Sequence, residues 1–290
     1  MICNYIVTLH LKTDAKKVMK KLLVRSISGA IYVIIIVGFV IGGRILTWEL
    51  AAVLAILGLT EFKKICSKGR KIHPSALMLD CAGVLTLVSS SFFPHAFYVW
   101  VGIYLLRCIE ELYMKEENSL VNLSESLFGQ IYLGIPLSFM PIVAATNNCE
   151  ISGIGNPLLA VFIFIWLSDT GAFVFGSLFG KRPLFKRISP NKSWEGFFGG
   201  LITCVVTSLI FSHYCASFFN LPDNYCLWSL FALTVVIFST WGDLLESLIK
   251  RTLGIKDSGN MIPGHGGILD RIDSLLLALP AAAIYLYFMI

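Results

Sequence analysis

The chain alternates long apolar runs with short polar stretches. Apolar segments fall near residues 27–43, 46–60, 76–93, 95–107, 127–146, 157–179, 197–218, 226–248 and 274–290. A helix that crosses a membrane needs roughly 20 mainly apolar residues, and most of these segments approach or reach that length. The segments 46–60 and 95–107 are short and read as tilted or partly re-entrant. No polar stretch is long enough to house a separate soluble domain. The first apolar run sits behind the polar segment 1–26 and lacks a small-x-small cleavage site, so it reads as a retained helix and not as a cleaved signal. The pattern predicts an all-α polytopic membrane protein with nine transmembrane helices. It divides into a basic N-terminal segment (1–26), N-terminal transmembrane helices (27–146) and a C-terminal transmembrane region (147–290), in which the candidate chemistry lies.

Composition agrees with a lipid solvent. Of 290 residues 56% are hydrophobic and only 14% charged, with a mean hydropathy of +0.77. A soluble domain has about 25% charged residues, so this chain lacks the charges for a polar shell, and it is far too apolar for a disordered one. The net charge of +5 becomes informative once located. With a cytoplasmic N-terminus and nine spans, the cytoplasmic pieces are 1–26, 61–75, 108–126, 180–196 and 249–273, with Arg107 at the boundary of the third. They hold 22 of the 23 Lys and Arg residues, leaving only Arg44 outside. Basic residues favour the cytoplasmic side, so this asymmetry fixes the orientation. The N-terminal stretch with Lys12, Lys16, Lys17, Lys20, Lys21 and Arg25 is expected along the membrane surface, near anionic headgroups. The loop with Glu110, Glu111, Glu116 and Glu117 reads as a solvated turn. The eight cysteines form no CxxC pair and read as small apolar fillers. No basic stripe with interleaved aromatics appears, so a nucleic-acid partner has no support.

Two predicted cytoplasmic loops are dense in residues that bind phosphate and metal. The first leads from the eighth segment into the ninth. It carries Asp243, Glu246, Lys250 and Arg251, then Lys256-Asp257-Ser258-Gly259, then Pro263-Gly264-His265-Gly266-Gly267, then Asp270, Arg271 and Asp273. Asp243 with Glu246, and Asp270 with Asp273, are spaced to share a helix face. If the loop folds back, four carboxylates converge at the boundary of two helices, where acids are costly and argue for function. Mg²⁺ suits such a set, because it is held by one or two carboxylates plus substrate phosphates. Lys250, Arg251, Lys256 and Arg271 would neutralise phosphate charge, and the glycines allow backbone N–H groups close to a phosphate.

The second loop follows the sixth segment. Asp169 lies about ten residues, or roughly 15 Å of helix, inside that segment, where a carboxylate must be paired, protonated or bound to a cation. Lys192 and Glu195 stand where the seventh helix begins, with Ser189 or Ser193 available as its cap, and a helix N-terminus with an added lysine favours phosphate. Gly176xxxGly180 and Gly196xxxGly200 read as close-packing faces. The sequence has neither Gly-x-Ser-x-Gly nor a Walker-type loop, so covalent serine chemistry and P-loop hydrolysis have no support.

The stretch Ser247-Leu-Ile-Lys250-Arg251, Lys256-Asp257-Ser258-Gly259 and Pro263-Gly264-His265-Gly266-Gly267-Ile-Leu-Asp270-Arg271-Ile272-Asp273 resembles the signature of phosphatidate cytidylyltransferases, the CDP-diacylglycerol synthases. Asp169-Thr170, Gly180-Lys181 and Ile188 to Gly196 are similar to the same family's cytoplasmic loop. Asn191 and Trp194 depart from its pattern, away from the metal-bearing positions. The resemblance covers the C-terminal half; residues 1–150 match only as generic membrane helices. It implies transfer of the CMP moiety of CTP to phosphatidate with Mg²⁺, giving CDP-diacylglycerol and pyrophosphate, within phospholipid biosynthesis. The location implied is the inner membrane of a bacterial cell, with the catalytic loops in the cytoplasm. Under this reading Asp243 and Asp270 are the first metal ligands, with Glu246 and Asp273 as further ligands. Lys250, Arg251, Lys256 and Arg271 bear on triphosphate or phosphatidate charge, beside Asp257. His265 with Gly266 and Gly267 would cradle phosphate. Lys192, Glu195 and Asp169 complete the pocket, with Asp169 a candidate for a second, monovalent cation such as K⁺ or for a helix partner. A homodimer is the default on symmetry grounds alone. Two rivals are a CTP-dependent lipid-alcohol kinase, which would release CDP, and a secondary transporter, which would need polar residues on both sides.

Overall fold

The computed structural model describes residues 23, 26–114, 118–145, 156–259, 261 and 266–289. Among these, nine helices appear, one for each apolar segment: α1 (Ser26–Ile41), α2 (Arg44–Ser67), α3 (Pro74–Ser89), α4 (Ala96–Tyr113), α5 (Ser119–Ala144), α6 (Pro157–Phe179), α7 (Trp194–Ile210, continued by a π-helical turn Phe211–Cys215), α8 (Tyr225–Leu253) and α9 (Leu269–Met289). Six are long and apolar enough to cross a membrane, namely α2, α5, α6, α7 with its π turn, α8 and α9. They mark the chain as an integral membrane protein. The basic segment at 1–22, with Arg25, lies outside the described residues.

Local chemistry sets the helix ends. Pro74 opens α3 and Pro157 opens α6, first-turn positions where the missing N–H costs nothing. Asn156 accepts the Leu159 N–H at 3.1 Å, and Asn224 accepts those of Cys226 and Leu227 at 3.0 and 3.2 Å. Ser193 caps α7 by accepting the Gly196 N–H at 3.1 Å, as expected for one of the two candidate serines. Gly254, at φ 76°, ends α8 in a left-handed turn.

Several helices outrun their apolar segments. α2 continues through Glu61, Lys63 and Lys64, which the hydropathy pattern assigns to a loop. α4 continues through Glu110 and Glu111, and α9 begins at Leu269, so that Asp270 and Asp273 are helical. Glu111 is not in a solvated turn: it is buried, pairs with Arg107 at 2.6 Å and accepts from Asn122 at 3.0 Å. Glu116 and Glu117 lie outside the described residues. Behind this pair, Asp80 of α3 is fully buried, held by Lys63 at 2.7 Å, by Gln130 at 2.9 Å and by Ser126.

The all-α expectation needs one amendment. Between α6 and α7 the chain forms a two-stranded antiparallel hairpin, β1 (Pro183–Phe185) with β2 (Ser189–Ser193), in the register Pro183↔Ser193 and Phe185↔Ser189. The apolar core is shared by helices from both halves of the chain, with Leu59, Leu133, Phe164, Phe231 and Leu276 all fully buried.

Candidate active site

The site begins with glycines. A Cβ on Gly200 would lie 2.7 Å from the Ser168 carbonyl oxygen, and one on Gly196 would lie 2.8 Å from that of Ala172. α6 and α7 therefore meet backbone to backbone, the close packing expected of their small-residue faces. On α8, a Cβ on Gly242 would lie 2.6 Å from the Asp273 carbonyl oxygen. That contact brings Asp243, the next residue, beside the first turns of α9.

These helices and the hairpin enclose a cavity of about 500 Å³. Its polar lining comes from Asp169, Lys192, Ser193, Thr240, Asp243 and Ser274, and its apolar lining from Leu184, Ala172, Phe173 and Phe197. Lys192 of β2 forms an ion pair with Asp243, and the Ser247 hydroxyl donates to the other Asp243 oxygen at 3.3 Å. Asp169 reaches this cavity from within α6. It is exposed to the cavity and not sealed in a packed interior.

A second cluster lies where α8 meets α9. Lys250 binds Glu246 at 2.5 Å and Asp270 at 2.8 Å. The Asp270 carboxylate also accepts the Ser258 N–H at 3.1 Å and the Gly267 N–H at 3.0 Å. Gly266, at φ 88°, makes the turn that a side chain would resist. The four carboxylates of the sequence reading are therefore shared between two clusters. Asp243 faces the cavity, while Glu246, fully buried, and Asp270 are engaged by Lys250. Asp273 lies near Asp243, with one oxygen accepting the Ser274 N–H at 2.6 Å. Among the described residues no three His, Cys, Asp or Glu side chains stand as a ready metal-holding group.

Other expected residues fall elsewhere. Glu195 does not line the cavity; it accepts the backbone N–H groups of Lys181 at 3.1 Å and Arg182 at 3.2 Å and so fixes the start of the hairpin. Arg251 donates to the carbonyls of Ile188 at 3.3 Å and Ile255 at 3.1 Å, tying the hairpin to the end of α8. Lys256, Asp257 and Arg271 are exposed. His265 lies outside the described residues. Two participants escaped the sequence reading. Glu61 of α2, buried, accepts the Leu269 N–H at 2.8 Å. Tyr132 of α5 places a buried hydroxyl within the field of Glu246, Asp273 and Asp243. Neither sits in a motif; the only signal for Glu61 was an acid directly after an apolar run.

Comparison with known proteins identifies the chain's family. Residues 23–289 match the model of the cytidylyltransferase family. A phosphatidate cytidylyltransferase of Staphylococcus aureus is 30% identical over 274 residues, covering 91% of this chain and 98% of the relative. One from Haemophilus influenzae is 46% identical over 133 residues, 46% of each chain. One from Staphylococcus haemolyticus is 40% identical over 174 residues, 59% of this chain and 62% of the relative. In these last two matches the chain spans about half to three-fifths of the relative's length.

Proposed function

Because the chain belongs to the cytidylyltransferase family, we propose that it transfers the CMP moiety of CTP to phosphatidate, giving CDP-diacylglycerol and pyrophosphate. The observation that carries this reading is a single cavity lined both by the charged groups Asp169, Lys192 and Asp243 and by the aromatic rings of Phe173 and Phe197. An anionic lipid brings the same two kinds of group, a charged head and apolar chains, to a binding site.

In this reaction a phosphate oxygen of phosphatidate bonds to the α-phosphorus of CTP, and the bond to the β-phosphate breaks. A phosphate monoester, with a second pKa of about 6, is already a nucleophile at neutral pH, so a strong base is not required. The larger obstacle is repulsion between two polyanions. Lys192 orients and neutralises the lipid phosphate at the cavity wall. Lys256 and Arg271, exposed near the start of α9, meet the triphosphate as it arrives from water.

Mg²⁺ fits this donor set on one condition. A hard cation takes one or two carboxylates and completes its shell with water and substrate phosphates. Asp243, aided by Asp169 or Asp273, offers that many oxygens, whereas Glu246 and Asp270 are committed to Lys250 and to backbone N–H groups. Held there, the cation would supply charge neutralisation to the triphosphate and to the departing pyrophosphate.

We further propose that all nine helices span the membrane with the N-terminus in the cytoplasm. The distribution of 22 of 23 basic residues supports this count, and the polar clusters then face the compartment that holds CTP.

The test is turnover of α-labelled CTP by purified protein with phosphatidate and Mg²⁺. The expected products are CDP-diacylglycerol and pyrophosphate; release of CDP would instead indicate a lipid kinase. Asp243→Asn should lower kcat roughly 100-fold or more, the scale of losing one electrostatic stabiliser. Unchanged kcat in that variant removes Asp243 from the site.

A further inference from the structure

Glu61 belongs to the N-terminal half, far along the chain from every motif, yet its carboxylate lies against Gly259, Gly267 and the start of α9. The side chain is 5% exposed, and a buried carboxylate requires partners. One oxygen accepts the N–H of Leu269, the first residue of α9, at 2.8 Å. The other presses against two glycines: a Cβ would lie 1.9 Å from it at Gly259 and 2.1 Å from it at Gly267. Asp270 holds the same two segments through the N–H groups of Ser258 and Gly267. Two carboxylates, one from each half of the molecule, therefore clamp the chain at 258–259 and 266–267. The absence of a side chain at Gly259 and Gly267 is what admits the first of them.

We propose that Glu61 is a positioning residue for CTP: it holds these segments and the first turn of α9 where Lys256, Gly266 and Gly267 meet the triphosphate. This rests on the CTP reading above. Glu61 touches no substrate and acts through Leu269, Gly259 and Gly267. Its negative charge at the α9 N-terminus is favourable in itself. Long connections wander unless tied down, and a misplacement of about 1 Å near a reacting group costs up to roughly 100-fold in rate.

Full-length wild type, Glu61→Ala and Glu61→Gln, each reconstituted in phosphatidylcholine vesicles containing phosphatidate, provide the test. Gln retains an oxygen that can accept from Leu269, and Ala does not. Glu61→Ala is expected to raise KM for CTP roughly tenfold or more, within the scale given by misplacement, while KM for phosphatidate holds. Glu61→Gln is expected to recover most of that loss. Trypsin should cut after the exposed Lys256 faster in Glu61→Ala than in wild type. If both KM values and the cleavage rate match wild type, the proposal is overturned. If kcat falls with melting temperature while both KM values stay fixed, Glu61 is a stability residue only and the proposal is again overturned. If wild type itself does not use CTP, the functional reading fails, and the cleavage comparison decides the clamp alone: faster cleavage in Glu61→Ala upholds it and equal cleavage removes it.

Discussion

Lysines sit on carboxylates at three places among the described residues, and burial separates their roles. Lys63 and Asp80 are 7% and 0% exposed, whereas Lys192 and Asp243 are 32% and 26% exposed. Breaking a buried pair by removing one partner strands the other charge, at a cost of about 3–5 kcal/mol. Asp80→Ala should therefore lower the melting temperature of the detergent-solubilised protein sharply; an unchanged melting temperature would show that Lys63 finds another partner. The Lys192–Asp243 pair is half open, and pairs of that kind contribute about 0–1 kcal/mol. Lys192→Ala should leave thermal stability nearly unchanged while raising KM for phosphatidate, which titration of the lipid in mixed micelles measures. Equal KM in variant and wild type would place the lipid phosphate elsewhere. Asp243 and Lys192 were legible in the sequence because one stands at the polar end of the eighth apolar run and the other in the polar stretch just before the seventh. Asp80 and Lys63 were not, since they pair across helices and nothing local to either indicates the partner.

At the scale of elements, the helix contacts are made where side chains are missing. Gly242 makes the closest approach to another helix's backbone, because a Cβ there meets that of α9 at 2.6 Å. Gly242→Ala should push α8 from α9, cost about 1–3 kcal/mol as overpacking does, and carry Asp243 out of line. The expected outcome is a loss of kcat greater than the loss of folded protein, read by activity normalised to a size-exclusion monodisperse fraction. Loss in proportion would make Gly242 a packing residue alone. The small-residue faces of α6 and α7 were readable from their four-residue spacing. Helix lengths were not, for a physical reason: hydropathy marks what lipid tolerates, while the backbone continues through Glu61 or Glu111 where neighbouring helices offer partners. The hairpin at 183–193 was also hidden, because strands of three and five residues containing Pro183 and Pro190 show no alternation.

For the molecule as a whole, the charge asymmetry was the most legible feature and the assembled interior the least. Lys186 of the hairpin and Asp223 before α8 are separated by the single span of α7, so the proposed topology sets them on opposite sides. In a cysteine-free background, Lys186→Cys should react with an impermeant maleimide only from the cytoplasmic side, and Asp223→Cys only from the other. Labelling of both from one side would remove a span. The basis for expecting this lies in where Lys and Arg fall, a quantity the chain displays without folding. The convergence of α2, α5, α8 and α9 on the site depends instead on packing of the core, which no window of sequence contains.

Phe173 lines the cavity and is itself 75% exposed, so the cavity opens beside an apolar ring of α6. A lipid arriving past it travels in two dimensions, so the concentration that governs its encounter is a mole fraction and not a molarity. Diluting a vesicle suspension with buffer should leave the rate per enzyme unchanged at saturating CTP. Diluting phosphatidate with inert lipid at constant total phosphatidate should slow it. Any rate constant for this protein then carries units of surface density on one substrate and of volume on the other.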